Sequence, residues 1–583
     1  MEHERPARGL AYLLTAFAMG AIVVARLVNL QLYEGDKFAK QAEGNRLRVI
    51  PQAAPRGLIF DRKGRVLASN RLSYSLTLFP SKMTQKNVED VLTRLKQLVG
   101  LDLTEAHRRV AKYGLQTATP ILLKSDIDAK TIARVAEHQG DLPGVSIQPD
   151  TIRYYPHGDL MAHVLGYTGE ITDGELTKLG SEGYHLGDIV GKAGLERLFD
   201  KDLRGVPGAR EVEVDARGRP GQLLREIPAK PGENLKLTLD LDLQRVAEKA
   251  MDVDHRTGAV VAMNPQNGDI LVMASRPDFD PNIFTRKVKP EEWHKLQQEQ
   301  YPFVNRALSA YPPGSIFKIS VALAALSTGV CTPTRLFNST GELQVGNRVF
   351  HDWYSAGFGV VNVMQGLQWS IDTVFYELGV ELGGERMATY AHELGLGSKT
   401  GIILAGESPG FIPDPAWKRR VWHDKWWPGD SANMGIGQGA VNVTPLQAAV
   451  MVSAIANGGD VMVPRLIDDG KTEPPRIVNH WNPEALATVR KGLRLVVQSG
   501  TGTVADVPGK EISGKTGSAE SGKPKTHGWF VCYGPGPHPT IAIACICEAA
   551  GHGGSTAGKV ARTILDEYFG IKAGKIQPAK VAD

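Results

Sequence analysis

Apolar positions change their spacing several times along this 583-residue chain, and each change predicts a different element. From Gly9 to Ala25 there are 17 residues without a charge, at the short end of the ~17–25 that cross a bilayer as a helix. Helical spacing persists through Leu27, Leu30 and Leu32, with Arg26 free to snorkel to an interface. Arg5 and Arg8 favour a cytoplasmic start, a bias that Glu2 and Glu4 blunt. Ala16-Phe17-Ala18 has the small-x-small form of a cleavage site, but the apolar run continues past it to Val24. An uncleaved anchor over 9–32 is therefore expected, with a tail at 1–8 and the rest of the chain on the opposite side.

Beyond the anchor, periods of two and of 3.6 alternate. Ser73 to Leu78 and Val145 to Tyr154 read as strands. Val88, Val91, Leu92, Leu95 and Leu98 are at helical spacing, and shorter helices are expected near 104–112 and 128–138. Residues 33–227 read as an elongated, non-catalytic module, closed by a linker at Pro228-Ala229-Lys230-Pro231-Gly232. A second domain, 234–570, opens with a helix at 242–251. Two apolar strands follow around Asn267-Gly268, a dipeptide that favours a tight hairpin. Strands at 529–533 and 540–548 and a helix at 560–568 close it. Strands from both ends of one domain predict an antiparallel sheet flanked by helices, with a helical portion near 310–500. The fold class is α+β, and a polar tail occupies 571–583.

Composition narrows the function. Hydrophobic residues are 42% and charged residues 22%, ordinary for folded domains. The formal net charge is +4, and no basic run carries interleaved aromatics, so no nucleic-acid partner is expected. Four cysteines in a chain this long make no disulfide framework. Cys545 and Cys547 share a strand face and read as small buried hydrophobes, with a bridge to Cys532 left open.

Three short clusters carry the candidate chemistry: Ser315-Ile316-Phe317-Lys318, Ser370-Ile371-Asp372 and Lys515-Thr516-Gly517. Pro312-Pro313-Gly314 breaks the chain before Ser315, and Ile316 to Ser327 reads as a buried helix. Ser315 then lies in a first turn, where free N–H groups favour developing negative charge. Lys318, three residues on, covers the same face. A serine alcohol needs a neighbour to take its proton, and a lysine does so only as a neutral amine, which burial promotes. Ser370 can relay a proton to a leaving amine. On a strand, Lys515 and Gly517 share a face, offering a cation for a carboxylate and a place without Cβ for a peptide backbone. The N–H of Ser518 can join that of Ser315 as an oxyanion hole. Ser398-Lys399-Thr400-Gly401 and Ser431-Ala432-Asn433 imitate the third and second clusters and are read as structural.

S-x-x-K, S-D-N and K-T-G are the signature of penicillin-binding proteins and class A β-lactamases. The chain resembles a class B penicillin-binding protein over nearly its whole length after the anchor. Pro55 to Arg65 is similar to the family's P-R-G-x-I-x-D-R-x-G segment, Gly191 to Glu196 to its G-x-x-G-L-E element, and Arg153-Tyr154-Tyr155-Pro156 to its R-x-Y-P element. Gly500-Thr501-Gly502-Thr503 and His527-Gly528-Trp529-Phe530 also fit. Asp372 in place of asparagine, with the long insert at 75–150, resembles the elongation branch. The resemblance implies a D,D-transpeptidase cross-linking lateral-wall peptidoglycan through a serine acyl-enzyme and trapped by β-lactams. Catalytic Ser315, Lys318, Ser370 and Lys515, and substrate-binding Asp372, Thr516, Gly517 and Ser518, follow by position. Implied partners are stem peptides ending in D-Ala-D-Ala, a SEDS-family glycosyltransferase and other elongation-complex proteins at the bacterial inner membrane, with the catalytic domain on the periplasmic side.

No cofactor is expected. Some relatives hold zinc near the second cluster with Asp, His and Cys ligands. Here His351 and Asp352 are present, but the nearest cysteine is Cys331 and position 371 is Ile, so no metal is expected. The alternatives are a membrane-anchored D,D-carboxypeptidase, a β-lactamase-like hydrolase, and a catalytically silent sensor or scaffold. An anchor and some 200 residues of non-catalytic module have no evident use in a β-lactamase, and intact Ser315, Lys318 and Lys515 argue against a decayed site.

Overall fold

The computed structural model describes residues 5–36, 47–80, 83–115, 117, 120–214, 220–253, 256–286, 288–298, 300–471 and 473–571. Apart from Ile571, the expected tail at 571–583 lies outside them. Helix α1 (Arg5–Val28) runs on through a wider turn at Asn29–Tyr33, and the stretch Leu10–Tyr33 is long and apolar enough to cross a membrane.

The chain divides into two compact units that interleave in sequence. One comprises 1–56, 70–152 and 204–232. In it, strand β1 (Val66–Leu78) pairs with β2 (Ile121–Lys124) and with β3 (Val145–Tyr154). Helices at Gln85–Val99, Leu103–Tyr113 and Ala129–Glu137 lie near the predicted positions, each started by a side-chain cap from Thr84, Asp102 or Asp128. Val88, Val91, Leu92 and Leu95 form a buried core with Leu76, Leu78 and Ile121.

The other unit comprises 57–69, 153–203 and 233–583. The segments 55–65 and 191–196 singled out in the sequence fall largely within it. Arg153 ties them together, its Nε 2.6 Å from Glu196 Oε1 with both side chains buried and its guanidinium donating to the Gly57 carbonyl. Asp61 accepts from the Leu241 N–H and Glu248 from the Met161 N–H, linking 57–69 and 153–203 to the rest of the unit. The unit's centre is a five-stranded antiparallel sheet built from both ends of the segment. Its strands are β4 (Gly258–Met263), β5 (Ile270–Arg276), β6 (Ser513–Ala519), β7 (His527–Gly534) and β8 (Ile541–Cys547), in the order β5-β4-β8-β7-β6. Gly268, at φ 79°, turns the hairpin between β4 and β5.

Alternation along these strands supplies two cores. Val260, Ala262, Phe530, Cys532, Ile543 and Cys545 face one layer, with helices α2 (Leu241–Asp252) and α3 (Ala557–Tyr568). Val261, Met263, Trp529, Val531, Ala544 and Ile546 face the other, where the helices between 318 and 499 pack. Both faces being buried, β4, β8 and most of β5 and β7 read as apolar runs, whereas the edge strand β6 carries Ser513, Lys515, Thr516 and Ser518. The four cysteines are free, buried thiols.

Candidate active site

Ser315 lies in a 3-10 turn, Gly314–Phe317, immediately before helix α4 (Lys318–Ser327), so the turn is tighter than the expected α-helical start. Its placement depends on close backbone approach. Gly314 has φ 55°, a Cβ there would lie 2.5 Å from the Ser518 carbonyl oxygen, and its N–H donates to the Gly437 carbonyl at 3.0 Å. The indole of Trp529 donates to the Pro312 carbonyl at 2.9 Å, fixing the chain just upstream. At Gly517 a Cβ would meet Ile316 and Pro313 at 3.0 and 3.2 Å. The glycine of the third cluster thus admits the serine turn.

Lys318 is fully buried and turned toward the second cluster. Its Nζ donates to the Ser370 carbonyl at 2.8 Å and to Asp372 Oδ1 at 2.6 Å, and lies 3.3 Å from Ser370 Oγ. It also sits 5.3 Å from the centre of the Phe375 ring. Two of these partners can only accept; the hydroxyl can accept from an ammonium or donate to a neutral amine, which is what a proton relay requires. Ser315 Oγ makes no hydrogen bond among the described residues. Such contacts often tighten only with substrate bound.

Lys515 is fully buried on β6, the edge strand of the sheet, and its Nζ donates to the Thr516 carbonyl at 2.9 Å. Burial, reinforced by the positive charge of Lys318, holds its amine well below the usual lysine range. Strand alternation puts Lys515 and Gly517 on the face of Val531 and Trp529, with Thr516 on the other face beside Phe530. Thr516 Oγ1 lies 2.6 Å from Thr501 Oγ1. Ser518 is partly exposed next to Gly314. Asp372, expected on the substrate, directs one oxygen to Lys318.

The imitating clusters serve other ends. Thr400 donates to Glu407 through both N–H and hydroxyl, and the buried Ser431 hydroxyl accepts from the Trp426 indole. The donors present do not fit a metal. His351 is exposed, Asp352 accepts from Thr373 and Trp353, and the Cys331 thiol points to the Thr332 carbonyl. No group of three His, Cys, Asp or Glu side chains is placed to hold an ion among the described residues.

Sequence reasoning missed Asp352, Thr373, Gly437 and the indole of Trp529 as contributors. Their contacts join residues from 21 to 217 positions apart and leave no local periodic signal.

A serine in a tight turn, a buried lysine at the next turn met by a second serine, and a lysine strand at the sheet edge define a serine acyl-transfer enzyme of penicillin-binding type. A model of the penicillin-binding protein transpeptidase domain matches residues 258–566, and one of the penicillin-binding protein dimerisation domain matches 51–237. The chain is 34% identical to the peptidoglycan D,D-transpeptidase MrdA of Acinetobacter baumannii over 97% of its own length and 88% of the relative's. It is 32% identical to MrdA of Escherichia coli K12, covering 96% of this chain and 94% of that one. A Helicobacter pylori complex of penicillin-binding protein 2 and MreC superposes with a TM-score of 0.81 at 28% identity, covering 90% and 99%. A peptidoglycan synthase complex gives 0.73 at 32% identity, covering 99% and 100%. The chain belongs to the penicillin-binding protein family, as a class B member of the elongation, penicillin-binding protein 2 type. It is a serine-type peptidoglycan D,D-transpeptidase.

Proposed function

We propose that Ser315 Oγ attacks the carbonyl of the penultimate D-Ala in a stem peptide while Lys318 takes its proton. Ser370 passes that proton to the departing terminal D-Ala, whose carboxylate is held at Lys515, Thr516 and Gly517. The N–H groups of Ser315 and Ser518 receive the oxyanion, and Asp372 steadies the lysine. An amine on a neighbouring stem then attacks the ester, releasing Ser315 and completing the cross-link. A β-lactam carbonyl enters the same ester and lacks a leaving group that diffuses away. The convergence of Ser370 and Asp372 on the buried Lys318 amine, one turn past Ser315, carries this reading.

The helix within 9–32 anchors the protein once, with 1–8 cytoplasmic and domain 234–570 on the periplasmic face of the inner membrane. Residues 33–227 act as its pedestal. Similarity to a complex containing MreC and to a peptidoglycan synthase complex supports elongation-complex partners, including a SEDS-family glycosyltransferase, and lateral-wall cross-linking.

Labelling with a fluorescent penicillin, followed by peptide mapping, tests the assignment. Modification at Ser315, lost in Ser315→Ala and persisting for minutes or longer in the native protein, is expected. Stoichiometric labelling of Ser315→Ala would refute it, and turnover of the adduct within seconds would point to a hydrolase.

A further inference from the structure

The tripeptide Ser370-Ile371-Asp372 is held at both ends by one dipeptide from elsewhere in the fold. The Trp353 indole donates to the Trp369 carbonyl, just before the tripeptide, at 3.1 Å. Asp352 Oδ2 accepts from the N–H and hydroxyl of Thr373, just after it, at 2.9 and 3.0 Å. We propose that Asp352, with Trp353, is a positioning residue for the second catalytic cluster, clamping the turn that presents Ser370 and Asp372 to Lys318.

The turn needs such a clamp. Ser370 has φ 57°, a left-handed conformation that a residue with a Cβ adopts only when its surroundings enforce it. The helix beginning at Asp372 has Ile371 at its N-cap, which offers no side-chain acceptor. Asp352 supplies the missing cap from outside the helix, and its charge suits the helix's positive end. It is itself fixed: its N–H donates to the Gly341 carbonyl at 2.8 Å, and Oδ1 accepts from the Trp353 N–H at 2.9 Å. Ser339 completes the network, 2.8 Å from the Thr373 hydroxyl. Asp352, Thr373 and Ser339 are all buried, so water does not readily replace these bonds. Asp352 directly follows the hairpin of Glu342–Val345 and Arg348–His351, whose Phe350 packs 5.1 Å from the Tyr376 ring. Because the Ser370 carbonyl, Ser370 Oγ and Asp372 Oδ1 all converge on one amine, displacement of the turn shifts three partners of Lys318 together.

The inference rests on the proposed Ser315–Lys318 chemistry, whose own failure would show as labelling of Ser315→Ala. Its test uses full-length protein in detergent and rapid-mixing acylation by a chromogenic penicillin, separating the half-saturating concentration from the limiting rate constant. Asp352→Ala is expected to lower the limiting rate at least tenfold with half-saturation within about twofold. Asp352→Asn, whose amide oxygen still accepts from Thr373, is expected to recover to within about threefold of the native rate. Trp353→Phe retains an aromatic ring and deletes one donor, and should slow the limiting step two- to fivefold. Should Asp352→Ala fail to fold, Asp352→Asn and Trp353→Phe carry the test. Native limiting rates in folded Asp352→Ala, or in Trp353→Phe, would overturn the inference, as would a loss confined to half-saturation.

Discussion

The amine of Lys318 and the carboxylate of Asp372 stand 2.6 Å apart, with the lysine sealed from solvent and the aspartate side chain 18% exposed. An asparagine there would offer a similar acceptor without the charge. Asp372→Asn should therefore keep acylation within about threefold of the native rate. Asp372→Ala, which removes the acceptor as well, should lower acylation about tenfold or more. Second-order rate constants for a penicillin between pH 5.5 and 9 decide the matter. Equal losses in Asp372→Asn and Asp372→Ala would show that the charge of this carboxylate, and not its place as an acceptor, is what Lys318 needs.

Much of this arrangement was legible in the chain. The hairpin at Asn267-Gly268, the paired apolar strands near the C-terminus and the order of the three clusters follow from local pattern, and the sheet joins them as expected. What was not legible depends on long-range closure. Gly517 reads locally as room for a substrate, and no local signal announces that Ile316 and Pro313, from 200 residues earlier, pack beside it. The contact of Asp372 with Lys318, 54 positions earlier, is equally invisible to local pattern. The segments 57–69 and 153–203 join the catalytic unit through buried partners such as Asp61 with the Leu241 N–H and Glu248 with the Met161 N–H, which no composition shift announces.

Lys515 is fully buried, and no carboxylate pairs with it among the described residues. Burial first, and Lys318 second, depress its proton affinity in the fold, while the unfolded chain keeps an ordinary lysine titrating near pH 10.4. Between the depressed value and about 10.4 the unfolded state binds the extra proton, so this residue's penalty on stability is greatest at low pH and fades as pH rises. Lys515→Met should therefore raise the thermal midpoint at pH 6.5, by an amount corresponding to ~1–3 kcal/mol, and lose that advantage toward pH 10. Acylation should fall at least tenfold in the same variant. A midpoint that drops equally at pH 6.5, 8 and 9.5 would show that the amine stabilises the fold.

His163 makes the catalytic unit acid-sensitive in a second window. Its Nε2 lies 2.8 Å from the Pro302 carbonyl, and its ring meets Phe279 edge-on at 5.5 Å. Burial is the main cause that pushes its titration down to about 4, with Arg276 and Arg306 adding to it and the Pro302 bond opposing it. The unfolded histidine titrates near 6.5, so between these values the unfolded state holds one more proton than the fold. The stability linked to a neutral His163 is fully present above pH 6.5 and is lost as pH falls toward 4, on the order of 3 kcal/mol in all. Thermal midpoints between pH 4.5 and 7.5 should fall less steeply in His163→Gln, whose side-chain amide can still donate to the Pro302 carbonyl. Parallel curves for the two proteins would assign the acid loss to other groups, such as the carboxylates around Arg276.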